Sequence, residues 1–255
     1  RPDQVTYGSS GSCTNTGAQF TGRLQASEAI SIGGGTLTVS DDSMTNQPFQ
    51  MLSGTVNGTG NLTLNSTFAW SGGSITGAGL LTTNGATTIT NSPQLDGKTW
   101  NNANTLTLGA GASNRLTLAN SAIVNNQSGA TVLIDSSYVN AFENAGGSTA
   151  HQLNNSGLIR KTNAGTQTLL NAGAYTQLAG ATLDVDAGAL NLTLNNAYSG
   201  TLNVDPGATV LLPSGSHLFN SGLNLTGTGN LTLNGGTLTL GGAFTFGAAT
   251  PLFSM

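Results

Sequence analysis

Charged side chains are scarce in this chain. Of its 255 residues, six are Lys or Arg and ten are Asp or Glu, which gives 6% charged residues and a net charge of -4. Typical soluble domains carry about a quarter charged residues. Six basic residues spread along the whole chain cannot form the basic surface that a nucleic-acid backbone requires. We therefore expect no nucleic-acid partner.

Cysteine and long apolar runs are also scarce. The single cysteine, Cys13, excludes an internal disulfide and leaves an intermolecular bridge, a reactive thiol or a small residue in an N-terminal loop. We favour the loop residue. No apolar run approaches the roughly 20 residues of a membrane-spanning helix, so we predict no membrane insertion. No signal peptide is visible and the chain begins with Arg1, so we expect a mature or excised fragment.

The abundant residues are Gly, Thr, Asn, Ser and Leu, and they alternate. Segments such as "NLTLN" from Asn61, "TLTLG" from Thr105 and "GTLTLGG" from Gly236 place an aliphatic residue at every second position. A period of two is typical of half-buried β-strands. Because Gly, Thr, Asn and Ser form helices poorly, the sequence predicts an all-β chain.

Asparagine-rich turns recur between these strands, as in "WNNANTLTL" from Trp100 and "LNNSGLI" from Leu153. Their spacing centres on roughly two dozen residues, which is the size of one solenoid coil. Stacked corners would let Asn side chains hydrogen-bond from coil to coil in a ladder. We predict a parallel β-helix (β-solenoid) with short strands and Asn/Gly-rich corners; a sandwich or barrel is the rival fold.

The chain divides into two parts by composition. Residues 1–50 contain more charge and more varied side chains, and we predict an N-terminal capping or irregular β segment there. Residues 51–255 keep the strand pattern, and we assign them to the solenoid repeats.

The central repeats resemble those of large secreted and cell-surface bacterial proteins. The resemblance rests on "FAWSGGSITGAGLLTTNGATTIT", on "LDGKTWNNANTLTL" and on "LNNSGLIRKTNAGTQTLLNAGAYTQLAGATLDVDAGALNLTL". It spans roughly residues 52–240 and is similar to filamentous haemagglutinin and autotransporter passengers. The resemblance implies an exported location and a role in adhesion, as a stalk or in a matrix. It carries no catalytic motif to transfer.

Candidate catalytic residues are few. Asp184 and Asp186 lie two apart on one expected strand and would share a face, as an acid/base pair on a glycan requires. We prefer two solvated carboxylates there, and we interpret Asp41 and Asp42 as a polar turn. Arg160 and Lys161 form the only adjacent basic pair; they fit an anionic sugar or, preferably, a solvated strand edge.

No metal or cofactor is expected. His151 and His217 are the only histidines, and the nearest further ligands, Glu143 and Asp135, lack any metal-site spacing. We interpret both histidines as surface or corner residues.

Three aromatic residues are candidates for carbohydrate binding, because aromatic faces stack on sugar rings. They are Trp70, Trp100 and Tyr198, and the alternative is that they fill the core or the corners. The pairs Thr36/Thr38, Thr88/Thr90, Thr105/Thr107 and Thr237/Thr239 would resemble an ice-binding surface if they shared one flat wall.

The sequence therefore predicts a non-enzymatic structural or adhesive module of a bacterial cell-surface or secreted protein. It would be a stiff rod that presents a polar Thr/Asn face to a glycan or cell-surface ligand, or to copies of itself end to end. The alternatives are a subunit of an extracellular filament or sheath, a polysaccharide-binding or polysaccharide-degrading β-helix, and an ice-binding solenoid.

Overall fold

The computed structural model describes residues 4–7, 13–244 and 249–255, with side chains from residue 22 onward within those ranges. Every regular element in these ranges is a β-strand, and the strand pairs are parallel. The strands stack as a β-solenoid of about 11 turns, which confirms the predicted fold class. None of the described residues belongs to a helix long and apolar enough to cross a lipid bilayer.

Each complete coil contributes one strand to each of three walls, which we name A, B and C in chain order. The first strands are β1 (Gln4–Tyr7), β2 (Cys13–Ala26) and β3 (Ile30–Val39). β2 pairs with both β1 and β3. The first half of β3 belongs to wall A and its second half to wall B. Strands before residue 50 thus pair with strands after it, and the division at that residue stays a prediction.

Wall A continues with nine strands in register. They are β5 (Phe49–Met51), β8 (Phe68–Trp70), β11 (Thr87–Ile89), β14 (Thr105–Leu108), β17 (Thr131–Ile134), β20 (Leu158–Lys161), β23 (Thr182–Val185), β26 (Thr201–Val204) and β29 (Asn224–Thr226). Wall B follows wall A in every coil. Its strands are β6 (Thr55–Asn57), β9 (Ser74–Thr76), β12 (Gln94–Asp96), β15 (Leu116–Ala119), β18 (Asn140–Gly146), β21 (Thr166–Leu170), β24 (Ala189–Asn191), β27 (Thr209–Leu212), β30 (Asn230–Leu233) and β32 (Leu252–Ser254).

Wall C is a separate ten-stranded sheet. Its strands are β4 (Ser43–Thr45), β7 (Leu62–Leu64), β10 (Leu81–Thr83), β13 (Thr99–Asn102), β16 (Ile123–Asn126), β19 (Gln152–Asn155), β22 (Ala174–Gln177), β25 (Asn196–Tyr198), β28 (Ser216–Phe219) and β31 (Thr237–Leu240).

Coil length differs along the solenoid. Stacked asparagines in the early coils, Asn46, Asn65 and Asn84, are 19 residues apart. In later coils the spacing between stacked asparagines is 24 residues from Asn102 to Asn126 and 29 from Asn126 to Asn155. The expected coil of roughly two dozen residues is therefore too long for the early coils, where the corners contain fewer residues.

The core is a column of aliphatic and aromatic side chains between the walls. Alternate strand residues point inward and are almost fully buried, as Leu62 and Leu64 are in β7. Because each coil buries its inward side chains against the coils above and below, the apolar core is continuous along the axis.

Asparagine side chains connect the coils, as the sequence predicted. On the surface, the amide Nδ2 of Asn65 donates to Asn46 Oδ1 (2.8 Å), and Asn84 Nδ2 donates to Asn65 Oδ1 (2.7 Å). Three further asparagines, Asn102, Asn126 and Asn155, form a buried ladder at the corner from wall C to wall A. The buried amides also donate to backbone carbonyls of the next wall, which satisfies polar groups in a water-poor corner.

Glycine is required where corners stack closely. Gly58 has φ of +124°, and a Cβ on it would lie 2.0 Å from the carbonyl oxygen of Val39 in the preceding coil. A side chain there would force the two coils apart, so the corner needs glycine for both reasons.

Candidate functional site

The outer surface of wall C carries no charged side chain over most of its length. One outward row runs through successive strands in register. Its members are Met44, Thr63, Thr82, Asn101, Asn125, Asn154, Thr176, Ala197, Leu218 and Thr239. By contrast, Arg160 and Asp184 point outward on wall A, and wall B carries Asp96 and Glu143. Wall C is thus the uncharged, Thr- and Asn-rich surface of the solenoid.

Part of this row is itself a hydrogen-bonded ladder. Asn125 Nδ2 donates to Asn101 Oδ1 (2.8 Å), and Asn154 Nδ2 donates to Asn125 Oδ1 (2.9 Å). These bonds fix the side chains at the coil spacing, about 4.8 Å. The amides are therefore held in place on the surface.

An open groove of about 340 Å³ lies at the N-terminal part of wall C. One side is formed by the outward row, with Met44, Thr63 and Thr82 from three successive strands. The other side is formed by the corner that precedes the wall, and its lining residues are Asp42, Asn61 and Leu80, with Arg23 and Ser43 beside them. Because neighbouring coils supply each side, the groove runs along the solenoid axis. Its volume is within the range of small-ligand sites, about 300–1,000 Å³.

Several polar atoms of the groove remain available for a ligand. Within the described part of the chain, the hydroxyls of Thr63 and Thr82 have no hydrogen-bond partner, and neither does the Nδ2 amide of Asn61. Other polar atoms of the corner are hydrogen-bonded within it: Asn61 N donates to Asp42 Oδ1 (3.0 Å), and Leu80 N donates to Asn61 Oδ1 (2.9 Å). The corner is therefore fixed by hydrogen bonds, while donors and acceptors face the groove beside the partly apolar Met44, which is 55% exposed.

A second open groove, of about 350 Å³, follows the corner from wall C to wall A in the longer coils. Its lining is largely backbone and small side chains, from Ser128–Ala130, Ser156–Leu158 and Gly180. Side chains with distinctive chemistry are fewer there than in the groove on wall C.

The three aromatic candidates for sugar stacking lie inside the solenoid. Trp70, Trp100 and Tyr198 are each 0% exposed. Trp70 packs on Trp100 with ring centroids 6.0 Å apart, and Tyr198 packs on Phe219 at 5.3 Å. Burial raises the pKa of Tyr198, and its hydroxyl lies 3.1 Å from His217 Nδ1. A ring without an exposed face cannot stack on a sugar. The three aromatic residues therefore fill the core, which was the alternative to carbohydrate binding.

The two carboxylates of the proposed acid/base pair share a face but bind a common cation. Arg160, from the preceding coil, donates to Asp186 Oδ2 from Nε (2.8 Å) and contacts Asp184 Oδ2 (3.6 Å). Asn203 in the following coil donates to Asp184 Oδ1 (2.7 Å). Desolvation is the main cause of a raised pKa at Asp184. Neither carboxylate lines one of the two grooves described above, and the cluster connects three coils.

Lys161 is the residue whose position differs most from expectation. We predicted a solvated strand edge, yet its side chain is 0% exposed and points inward. Its Nζ donates to the carbonyl oxygens of Gly165 (2.9 Å), Ala187 (2.8 Å) and Asn163. Burial lowers the pKa of Lys161 to about 8. These hydrogen bonds connect the corner between walls A and B in one coil to the same corner in the next coil.

The histidines are also buried rather than on the surface. His151 and His217 are each 1% exposed, and desolvation is the main cause that lowers the pKa of both. The described residues contain no group of three or more His, Cys, Asp or Glu that could hold a metal ion. Glu143 instead pairs with Arg115 and accepts from Tyr138 (3.1 Å), while Asp135 accepts from Thr162 (3.0 Å). Asp41 and Asp42 lie exposed at the corner before wall C, in agreement with a polar turn.

The threonine pairs of the ice-binding hypothesis lie on different walls. Thr36 and Thr38 belong to wall B, and Thr237 and Thr239 belong to wall C. Of the other two pairs, Thr88 and Thr107 are in register on wall A, which also carries Thr105, and Thr90 follows β11 of that wall. A single flat threonine surface is therefore not formed by these pairs, and the ice-binding hypothesis is wrong on this point. Cys13 begins β2 rather than lying in a loop, and its side chain lies outside the described part of the structure.

Comparisons with protein-family models, with curated proteins and with solved structures gave no match for this chain.

Sequence reasoning did not identify the groove on wall C. The signal was present as single Thr or Asn residues at the central outward position of successive strands, as in "LTL" and "LTT". To predict which residues form a row, one must know the length of each coil, and that length varies between 19 and 29 residues.

Proposed function

We propose that this chain is a non-enzymatic structural and adhesive module, a stiff rod that presents a polar Thr/Asn surface. The observation that carries the proposal is the continuous parallel stacking of the three walls, in register apart from local shifts such as the one between β15 and β18, with side-chain ladders from coil to coil. About 11 turns at about 4.8 Å each give a stack about 50 Å long.

Repetition suits such a role because each coil offers the same kind of contact. A single threonine or asparagine binds a partner weakly, but a row of them at fixed spacing can engage a repetitive partner at many points. Multivalent contacts of this kind raise the overall affinity well above that of one contact. The ladder of Asn101, Asn125 and Asn154 keeps that spacing fixed before any partner binds.

The proposed location is the bacterial cell surface or the extracellular medium. It is supported by the resemblance of residues 52–240 to repeats of secreted adhesins. The scarcity of charge and the Asn/Thr-rich surface agree with an exposed repeat of that kind.

A non-enzymatic role is supported by the state of the best carboxylate candidates. Asp184 and Asp186 both contact Arg160, Asn203 donates to Asp184, and neither carboxylate lines either of the two grooves described above, so a glycan bound in those grooves would not meet them. A polysaccharide-degrading β-helix would instead need one carboxyl group held protonated beside a bound glycan.

Imaging and an activity assay test the proposal together. Electron microscopy of the purified chain is expected to show rods of uniform width, and immobilised chain is expected to retain bacterial or host-cell surfaces. Incubation with a panel of polysaccharides is expected to release no reducing ends. Release that disappears in D184N would contradict the non-enzymatic role, and flexible or globular particles would contradict the rod.

Assembly of copies end to end is a second candidate function, favoured by the last coil. In the described part of the chain, β29, β31 and β32 are the last strands of their walls. Apolar side chains lie exposed there, including Leu240 (47%) and Leu252 (68%). Open strand edges readily accept a further strand. Electron microscopy across a concentration series separates the candidates: regular filaments at high concentration would support assembly, and single rods throughout would argue against it.

A further inference from the structure

We infer that the groove on wall C, between Met44/Thr63/Thr82 and Asp42/Asn61/Leu80, binds an uncharged polysaccharide lying along the solenoid axis. This inference rests on the proposed adhesive function and names its surface and its ligand class. It uses the surface of wall C, whose outward row from Met44 to Thr239 contains no charged residue.

The first argument is charge. Arg23 and Asp42 both line the groove, so its formal charges cancel, and the row beyond it is neutral. An anionic glycan would be attracted by Arg23 and repelled by Asp42, and a cationic glycan would be attracted by Asp42 and repelled by Arg23. A neutral glycan requires no counter-charge, so the surface is complementary to it.

The second argument is the chemistry of the lining. Sugars combine hydroxyl groups, which donate and accept hydrogen bonds, with apolar C–H faces. Among the residues that the structure describes, the hydroxyls of Thr63 and Thr82 and the Nδ2 amide of Asn61 have no partner, and they lie beside the apolar surfaces of Met44 and Leu80. Small polar groups at an already ordered surface bind with little loss of conformational entropy.

The third argument is periodicity. The groove is open rather than closed, and beyond Thr82 the outward row continues into Asn101, Asn125 and Asn154. A polymer that leaves the groove along the axis therefore meets further amides at regular intervals. A monosaccharide would use only the groove, so a chain-like ligand exploits the surface better.

The test compares one substitution on two consecutive strands, β10 on wall C and β11 on wall A. Thr82 points outward from β10 on wall C, and Thr88 points outward from β11 on wall A. T82E places a charge beside the groove, while T88E places the same charge on the other wall. Chain coupled to beads is assayed against soluble mannan, β-glucan, amorphous cellulose and chitin, with heparin and polygalacturonate as anionic comparators.

We expect wild-type chain to bind at least one neutral polysaccharide more tightly than either anionic one. T82E should weaken that binding at least tenfold, and T88E should leave it within twofold. T82R should weaken it as T82E does, because either charge must lose water in the complex. If wild-type chain instead binds heparin or polygalacturonate more tightly than every neutral polysaccharide, the ligand is anionic and the inference is wrong.

Other outcomes also decide the question. Equal loss in T82E and T88E, or no neutral binding at all, overturns the inference. Sedimentation that shows wild-type oligomers and T82E monomers would assign wall C to contacts between copies and would also overturn it. If T82E rods still attach to cell surfaces as the wild type does, the inference fails while the adhesive function stands. If the wild type itself does not attach to cell surfaces, the adhesive function is refuted.

Discussion

Lys161 lies inside the solenoid, where a charged side chain is costly to bury. Strand alternation places it there: in "LIRK" it has the same parity as Ile159, which is also buried, whereas Arg160 points outward. The expectation of a solvated basic pair followed residue type, but the alternation of the strand decided the direction. The three carbonyl acceptors at the corner make the inward ammonium tolerable.

Replacing Lys161 tests whether these contacts stabilise the corner. In K161M the carbonyls of Asn163, Gly165 and Ala187 lose their donor, and we expect the free energy of unfolding to fall by about 3 kcal/mol. The adjacent variant R160M removes the contacts of a half-exposed arginine with Asp184 and Asp186, so it should cost less, about 1 kcal/mol. Urea denaturation at pH 7 measures both. Equal losses in the two variants would show that the buried contacts of Lys161 stabilise the fold no more than the contacts of Arg160 do.

The lowered pKa of Lys161 predicts a rise of stability with pH. The folded lysine loses its proton near its pKa of about 8, and the unfolded one near 10.5. Between these values the unfolded chain binds more protons, so the free energy of unfolding increases with pH. We expect a gain of about 1–2 kcal/mol from pH 7.5 to 9.5 in the wild type. The gain should be absent in K161M, and a parallel gain in that variant would assign the effect to another group.

At the scale of single elements, the asparagine ladders differ in burial and therefore in their expected contribution. Asn126 is 0% exposed and connects Asn102 to Asn155, whereas Asn65 connects Asn46 to Asn84 at the surface. N126A leaves buried amides and carbonyls unpaired and should cost about 3 kcal/mol. N65A exposes its partners to water and should cost under about 1 kcal/mol. Denaturant unfolding compares the two, and similar costs would mean that water reaches the buried corner.

The strands and the ladders were predictable from the sequence, while the site was not. Alternation around Leu62 and Leu64 indicates a strand with two inward residues. The paired asparagines of "WNNANT" indicated a corner, but both lie in β13, with Asn101 on its outer face and Asn102 at its end. The aromatic pair Phe68 and Trp70 has the same alternation, and both side chains are buried. The groove depends on which coil lies beside which. That register is a long-range property, set by coils whose lengths vary, and local patterns do not contain it.

For the whole molecule, stacking makes the solenoid nearly one-dimensional. Each interior strand pairs with the strand before and the strand after it in its wall, as β16 does with β13 and β19. β31 pairs only with β28 in the described part of the chain. The stability of a coil then depends mainly on its two neighbours, so the last coils have less support than the central ones.

Amide hydrogen exchange tests this gradient. We expect amides of β31 and β32 to exchange well before those of β16 and β19, because local opening at an end breaks contacts with one neighbour only. Comparing dilute with concentrated samples also tests whether copies join end to end. If copies join end to end, protection of β31 and β32 should rise with concentration while β16 stays unchanged. Uniform exchange along the chain at every concentration would contradict the gradient, since it would mean that the solenoid opens as one unit.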